Sequence, residues 1–266
     1  MSGLKLEICM DYLDDIIVFS NELLDHLQRL RKIFERLRVA NLKLKLTKRK
    51  LLQRRVGFLG HVVSGTGIAT DPEKIKSVQT WPTPTSLKEV RSFLGLCSYY
   101  RRFVKGFSEI ASPLHRLAGK NVPLIWALKC QQAFEELRLA LTTTPVLAMP
   151  PDENTYIFDT HASHHAIGAV LSQVQAGKER VITYASRTYS KAKVNFCTTR
   201  QEILAVVHFV KQFKQYLLGR ESVIRTDHAA LTWLQRTPDI IGQQKIAGTP
   251  ARIQLQNPAP DGDTMR

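Results

Sequence analysis

The sequence predicts an α/β protein of mixed, α+β character, and three observations carry that expectation. Two short apolar, β-prone runs, Leu4 to Met10 and Ile16 to Phe19, flank the tetrad Tyr12-Leu13-Asp14-Asp15 and read as a strand hairpin. Leucines and isoleucines then recur at intervals of three and four, the helical period. From Tyr156 onward, strand-like runs alternate with a long helical stretch. At 266 residues and 44% hydrophobic content, the chain can bury a real core in one or two domains.

Taken in order, the hairpin leads into a helix expected from about Asn21 to Ala40. Its single apolar face comprises Leu23, Leu24, Leu27, Leu30, Ile33, Phe34 and Leu37, and Ser20 is its N-cap. Val56 to Val63 reads as a strand broken by glycines, and Ser64-Gly65-Thr66-Gly67 as a turn. After the stiff Trp81-Pro82-Thr83-Pro84-Thr85 connection, Ser86-Leu87-Lys88-Glu89 forms a capping-box pattern. It opens a helix carrying Val90, Phe93, Leu94, Cys97 and Tyr100. A further helix is expected from about Lys129 to Thr142, and the prolines between Thr144 and Pro151 mark a boundary. Beyond it come strands at Tyr156 to Asp159, Ala166 to Leu171, Val181 to Ala185 and Ser222 to Thr226, with a helix from Thr199 to Leu218. From about Ile240 periodicity gives way to Gly, Gln, Pro and Asp, and disorder is expected.

A formal charge of +15 calls for an anionic partner, nucleic acid first among them. Lys43, Lys45, Lys48, Arg49, Lys50, Arg54 and Arg55 form an acid-free run suited to phosphate contacts, although such a run also serves as an ordinary solvated surface. Tyr99, Tyr100, Arg101 and Arg102 offer a second aromatic and basic surface. The four cysteines are far apart, which points to a reducing compartment and to neither a disulfide framework nor a zinc site. No apolar run is long enough to span a membrane and no secretory signal is visible. The expected location is therefore intracellular, cytoplasmic or nuclear, with no membrane partner. Oligomeric state is not legible.

The tetrad carries the sharpest chemical signal. Adjacent carboxylates at a hairpin tip repel one another, and hard divalent cations, which want oxygen ligands, would resolve that conflict. An acidic turn is the plainer reading of Asp14 and Asp15 taken alone.

The surrounding motifs decide between the two. Tyr12-Leu13-Asp14-Asp15-Ile16-Ile17-Val18-Phe19-Ser20 resembles the reverse-transcriptase active-site hairpin of gypsy-type (Ty3/gypsy) LTR retrotransposon Pol polyproteins. The likeness continues through Val56 to Val63, Asp71 to Ile75, Trp81 to Pro84, Arg91 to Leu96 and Tyr99 to Phe103. It is completed by Ile167 to Gln173, Thr199 to Val207 and Thr226 to Leu231. The resemblance implies the C-terminal part of a polymerase palm over residues 1–65 and a thumb or connection region over 66–150. A truncated RNase H-like domain over 151–240 and a divergent tail over 241–266 follow. It implies RNA-directed DNA polymerase and ribonuclease H chemistry on RNA, DNA or RNA·DNA hybrids, with Mg²⁺ as the cofactor.

The same resemblance assigns residues. Asp14 and Asp15 are the polymerase carboxylates; the third lies upstream in the family, so little Mg²⁺ affinity is expected of this pair alone. Glu202 and Asp227 match the second and third RNase H acids, with plainer roles as part of a Thr199–Glu202 capping box and as a helix N-cap. Where the family has Thr-Asp-Ala-Ser, this sequence reads Thr160-His161-Ala162-Ser163. An imidazole suits zinc or late transition metals better than Mg²⁺, so impaired catalysis is expected. Asp159, two residues before His161, is the candidate substitute, although its Cα would lie about 6.6 Å away along a strand. The family's fourth aspartate has no counterpart. His161, His164 and His165 could together hold zinc or copper. Whether the chain is an enzyme stays open on sequence, against a non-catalytic nucleic-acid-binding remnant or an unselected product.

Overall fold

The structure is a computed structural model that describes residues 8–151, 153–190, 193–226 and 253–256, the last four as backbone. The chain divides into two compact units, Met1–Gly65 and Thr66–Arg266.

In the first unit, β1 (Cys9–Tyr12) and β2 (Asp15–Val18) pair antiparallel with Tyr12 opposite Asp15. The two-residue turn puts Leu13 at φ 51°, the left-handed region that side chains ordinarily avoid. Helix α1 (Leu23–Val39) packs on the hairpin through Ile33 and Leu37, which meet Cys9. Two expectations are corrected here. The N-cap is Glu22, while the Ser20 hydroxyl donates to the Glu22 carbonyl and sits 3.0 Å from His26 Nδ1, so the helix starts later than the sequence suggested. The apolar face is also only partly covered: Leu23, Leu24, Leu27 and Phe34 are exposed. A two-stranded hairpin covers roughly one helical turn's worth of side chains, and Ile33 and Leu37 take it. Downstream, Val56 to Val63 is not one interrupted strand. It is a hairpin of β3 (Arg55–Phe58) and β4 (His61–Ser64). Leu59 and Gly60 both have positive φ, the signature of a two-residue type I′ loop whose twist matches the strands.

The second unit opens with β5 (Gly67–Thr70), whose Ile68 exchanges both backbone hydrogen bonds with Leu147 at 2.7 and 2.8 Å. A Cβ on Gly67 would lie 2.1 Å from the Leu147 carbonyl oxygen, so the close approach requires glycine. Helix α2 (Pro72–Gln79) is N-capped by Asp71, which accepts from the Glu73 N–H, with Pro72 in the first turn. Helix α3 (Leu87–Tyr99) begins at Ser86 as expected, the hydroxyl accepting from Glu89 N–H at 3.3 Å. The Glu89 carboxylate returns to the backbone before the helix, accepting from the Thr85 N–H at 2.7 Å. A 3₁₀ turn (Arg101–Phe103), α4 (Phe107–Ile110), α5 (Ser112–Leu117) and α6 (Leu128–Thr142) complete a helical layer. Its core holds Phe93, Cys97, Tyr100, Phe103, Phe107 and Phe134, all essentially inaccessible to water.

Five strands form the sheet beside it: β6 (Tyr156–Ala162), β7 (Ala166–Gln175), β8 (Lys178–Thr188), β9 (Ser222–Thr226) and β10 (Ile253–Gln256). The order is β10-β9-β6-β7-β8. β6, β7 and β8 make an antiparallel meander, β9 runs parallel to β6, and β10 runs parallel to β9. Helix α7 (Thr198–Gln212) continues through a break at Phe213 into α8 (Lys214–Leu217), where a single helix was expected. Ala205, Phe209 and Phe213 pack against Tyr156 and Phe158 of β6. Val181 and Tyr184 of β8 pack on the helical layer, so the two layers share β8. The strand β10 corrects the expectation of disorder: four residues of the non-periodic tail find backbone partners on the open edge of β9, which asks for hydrogen bonds rather than a sequence pattern. The rest of the tail lies outside the described residues. No helix among them is long and apolar enough to cross a membrane.

Candidate active site and nucleic-acid surface

Asp14 and Asp15 occupy the tip of the first hairpin and are both exposed, as are Tyr12 and Leu13. The basic run follows in the same unit. Lys43, Lys45, Lys48, Lys50, Arg54 and Arg55 are exposed and Arg49 half-buried. One 3₁₀ turn (Leu46–Lys48) interrupts it.

In the second unit the site residues gather at the C-terminal end of β6. Strand alternation sends Tyr156, Phe158 and Thr160 into the core and places Asp159 and His161 on the opposite face. Glu202, in the first turns of α7, is 2% exposed, and its Oε1 accepts from the Ala162 N–H at 2.9 Å. That bond fixes a carboxylate beside His161, which is exposed. It also corrects the capping reading, because the N-cap of α7 is Cys197 and not Thr199, and Glu202 reaches across to the strand. Tyr189 lies close enough to feel Glu202: burial, and then that carboxylate's charge, push the phenol up to about 12, so it stays protonated. β9 ends at Thr226, paired with Thr160, while Asp227 falls outside the described residues.

Asp159 is engaged elsewhere. Arg225 of β9, directly opposite in the parallel register, donates to both of its oxygens at 2.5 and 2.6 Å. The same guanidinium donates to Glu179 at 2.7 and 3.1 Å, and Ser172 donates to Glu179 at 2.7 Å. One charge-assisted network therefore crosses four strands. Burial raises the Glu179 carboxyl, but the hydrogen bonds from Arg225 and Ser172 outweigh it and hold the group below its ordinary value. Arg225 escaped the sequence reading because its partners are distant in the chain. The available signal was an arginine flanked by Val223, Ile224 and Thr226 in a strand that contains no acid of its own.

A divalent metal centre needs several oxygen ligands in one place. Among the described residues no three Asp, Glu, His or Cys side chains are so gathered. Asp159 is held by Arg225, Glu202 is joined to the Ala162 amide, and His161 presents nitrogen. The described set does not fit a two-cation site. His164 and His165 meet edge-on with ring centroids 4.8 Å apart, and among the described residues no third ligand joins them.

The proposed aromatic surface needs one correction. Tyr99 is 51% exposed, but Tyr100 is 1% exposed and packs edge-on against Tyr99 and Phe103, so no base can stack on it. Burial pushes its hydroxyl up to about 12. Arg101 donates to the Ser186 carbonyl at 2.6 Å and to Ser108 Oγ at 3.2 Å, and Arg102 sits over the Phe103 ring at 5.9 Å.

Comparison with known proteins matches residues 3–63 to the reverse transcriptase (RNA-dependent DNA polymerase) family and residues 126–224 to the RNase H-like domain found in reverse transcriptase. The chain is 40% identical over 227 residues to the retrovirus-related Pol polyprotein from transposon 297 of Drosophila melanogaster, covering 85% of this chain and 21% of that protein. The chain belongs to the retrotransposon Pol family. The Pol polyprotein from transposon gypsy, also of Drosophila melanogaster, is 36% identical over 240 residues, covering 85% of this chain and 23% of the relative. The Tf2-3 polyprotein of Schizosaccharomyces pombe is 33% identical over 226 residues, covering 83% and 17%. This Pol segment thus spans about a fifth of the length of these curated relatives. Among solved structures, the foamy viral protease-reverse transcriptase dRH in complex with double-stranded DNA has a TM-score of 0.80 at 25% identity, covering 96% of this chain and 47% of that one. The foamy viral enzyme in complex with an RNA/DNA hybrid, at a TM-score of 0.78 and 23% identity, covers 97% and 37% and bears on the fold alone. The polymerase match takes in the Asp14-Asp15 hairpin, and the RNase H-like match runs from the lead into α6 as far as Ile224, within β9.

Proposed function

We propose that this reverse transcriptase/RNase H segment holds nucleic acid, including RNA·DNA hybrids, and that its RNase H-like half cleaves RNA slowly because His161 stands where the family motif places an aspartate. The observation that carries the reading is the Glu202–Ala162 bond, which sets an acid of the RNase H set against the strand end bearing His161. The solved relative captured on double-stranded DNA supports the ligand class. Asp14 and Asp15 are the carboxylates of the polymerase half. Glu202 and Asp227 are the RNase H acids that would face Mg²⁺, the metal of this chemistry, and an imidazole supplies no anionic oxygen to it. Asp159 does not replace the missing acid while Arg225 neutralises it.

The test is Mg²⁺-dependent cleavage of a labelled RNA·DNA hybrid by the wild-type chain and by His161→Asp. The expected gain is at least ~100-fold, equivalent to about 2.7 kcal/mol of transition-state stabilisation. Wild-type cleavage that is already fast and unchanged by the substitution would overturn the assignment of His161, and a rate abolished by Asp159→Asn would move the role to Asp159.

A further inference from the structure

A cleft of about 500 Å³ lies in the second unit. Its charged lining is entirely basic: Arg101, Arg116 and Arg187, with His115 and His165. These five side chains are contributed by four different parts of the fold: the 3₁₀ turn, α5, the approach to β7 and the end of β8. Each residue is accessible to water. The partners of the three guanidiniums are neutral. Arg101 donates to Ser108 and Ser186, Arg116 to Ser112 Oγ at 3.2 Å, and Arg187 approaches His208 Nδ1 at 3.4 Å. The adjacent carboxylate, Glu109, accepts from Ser163 and does not line the cleft.

Three guanidiniums lining one hollow repel each other, and an anion placed among them would relieve that repulsion. Burial and then the Arg101 charge lower His115; burial and then Arg187, Lys193 and Lys211 lower His208. The hollow is concave, of a size that accommodates small ligands, and its donors are forked guanidiniums, the group best matched to the oxygens of a phosphate. Arg101 is already oriented by two hydrogen bonds and by the Phe107 ring beneath it at 5.4 Å, so little ordering remains to be done on binding.

We propose that this cleft binds phosphate groups, either of a nucleic-acid backbone or of a free polyphosphate. The cleft adjoins the Glu202 region through Tyr189; only its backbone source rests on the nucleic-acid reading.

The experiment titrates the full chain at low salt with sodium tripolyphosphate by calorimetry and with a fluorescein-labelled RNA·DNA hybrid by anisotropy. It compares wild type with the exposed-site double variant Arg116→Gln/Arg187→Gln and with Lys48→Glu/Arg49→Glu/Lys50→Glu, after circular dichroism has shown both folded. Tripolyphosphate affinity is expected to fall at least ~tenfold in the glutamine variant, about 1.4 kcal/mol, and to hold in the glutamate variant. If hybrid affinity falls with it in the glutamine variant, the phosphate comes from a nucleic-acid strand. If hybrid affinity holds there, the ligand is a free polyphosphate. A wild type that binds the hybrid not at all would sink the nucleic-acid reading and leave the tripolyphosphate arm to decide the cleft. Wild type and glutamine variant alike in tripolyphosphate affinity, or wild type failing to bind it, would overturn the proposal.

Discussion

Arg225 and Tyr100 show how single side chains settle questions that a motif leaves open. Arg225 ties Asp159 and Glu179 to one guanidinium, with all three side chains about a third exposed, so solvent screens part of the attraction. Replacing it with Gln should cost about 1–2 kcal/mol at neutral pH, less than for a fully buried pair. The acid side of that loss has a definite sign. Glu179 is held below its ordinary value of 4.5, so its contribution is fully present above that pH and disappears as pH falls through the lower folded value. Thermal melts should therefore show the gap between wild type and Arg225→Gln shrinking on going from pH 7 to about pH 3; a gap constant across that range would mean that packing, not charge, is what Arg225 supplies. The adjacent tyrosines give a second contrast. Tyr100→Ala removes a ring from the helical core and should cost roughly 3 kcal/mol or more, whereas exposed Tyr99→Ala should change stability by about 0.5 kcal/mol or less. Equal losses in urea unfolding would contradict the burial assigned to them.

At the level of elements, local chemistry was legible and long-range pairing was not. The Ser86 cap, α6 and the strands from Tyr156 to Thr226 announce themselves through capping residues and period. The exposed leucines of α1, the hairpin at Leu59-Gly60 and the β10 strand depend on what lies alongside, which periodicity does not encode. The site divides the same way: Glu202 was readable as a motif residue, but its bond to Ala162 and the capture of Asp159 by Arg225 join residues 40 and 66 positions apart. Two elements make checkable claims. Gly67 has φ 135° and faces the Leu147 carbonyl, so Gly67→Ala should destabilise by about 2–3 kcal/mol by parting β5 from Leu147; an unchanged melting temperature would show that the bridge is dispensable. The Lys43 to Arg55 run, with its charges turned to solvent, should bind duplex DNA with log affinity falling against log salt by about 0.9 per neutralised phosphate. Lys48→Glu/Arg49→Glu/Lys50→Glu should flatten that slope, and an affinity indifferent to both salt and substitution would remove this segment from the interface.

Across the second unit as a whole, the helical layer and the sheet are joined by more than a linker. Ala148 N–H donates to the Val181 carbonyl at 2.8 Å, Arg101 holds the Ser186 carbonyl, and Ser108 N–H donates to Ser186 Oγ at 2.8 Å. Val181 and Tyr184 add apolar area from β8 to the helical core. Most of these links cannot survive separation of the layers, and the polar groups they satisfy are wholly or partly buried, so opening the junction would expose apolar surface and strand hydrogen-bonding groups at once. The proline-rich stretch between Thr144 and Pro151, which reads as a domain boundary in sequence, is therefore expected to be a connection within one cooperative unit. A protein comprising residues 66–266 should unfold in a single calorimetric transition whose van't Hoff and calorimetric enthalpies agree. Ser186→Ala together with Arg101→Gln should lower its midpoint without splitting it. Two separable transitions in the unsubstituted protein, or native-state proteolysis between Thr144 and Pro151 that leaves the sheet's melting unchanged, would show instead that the layers fold independently and that β8 merely rests against its neighbour.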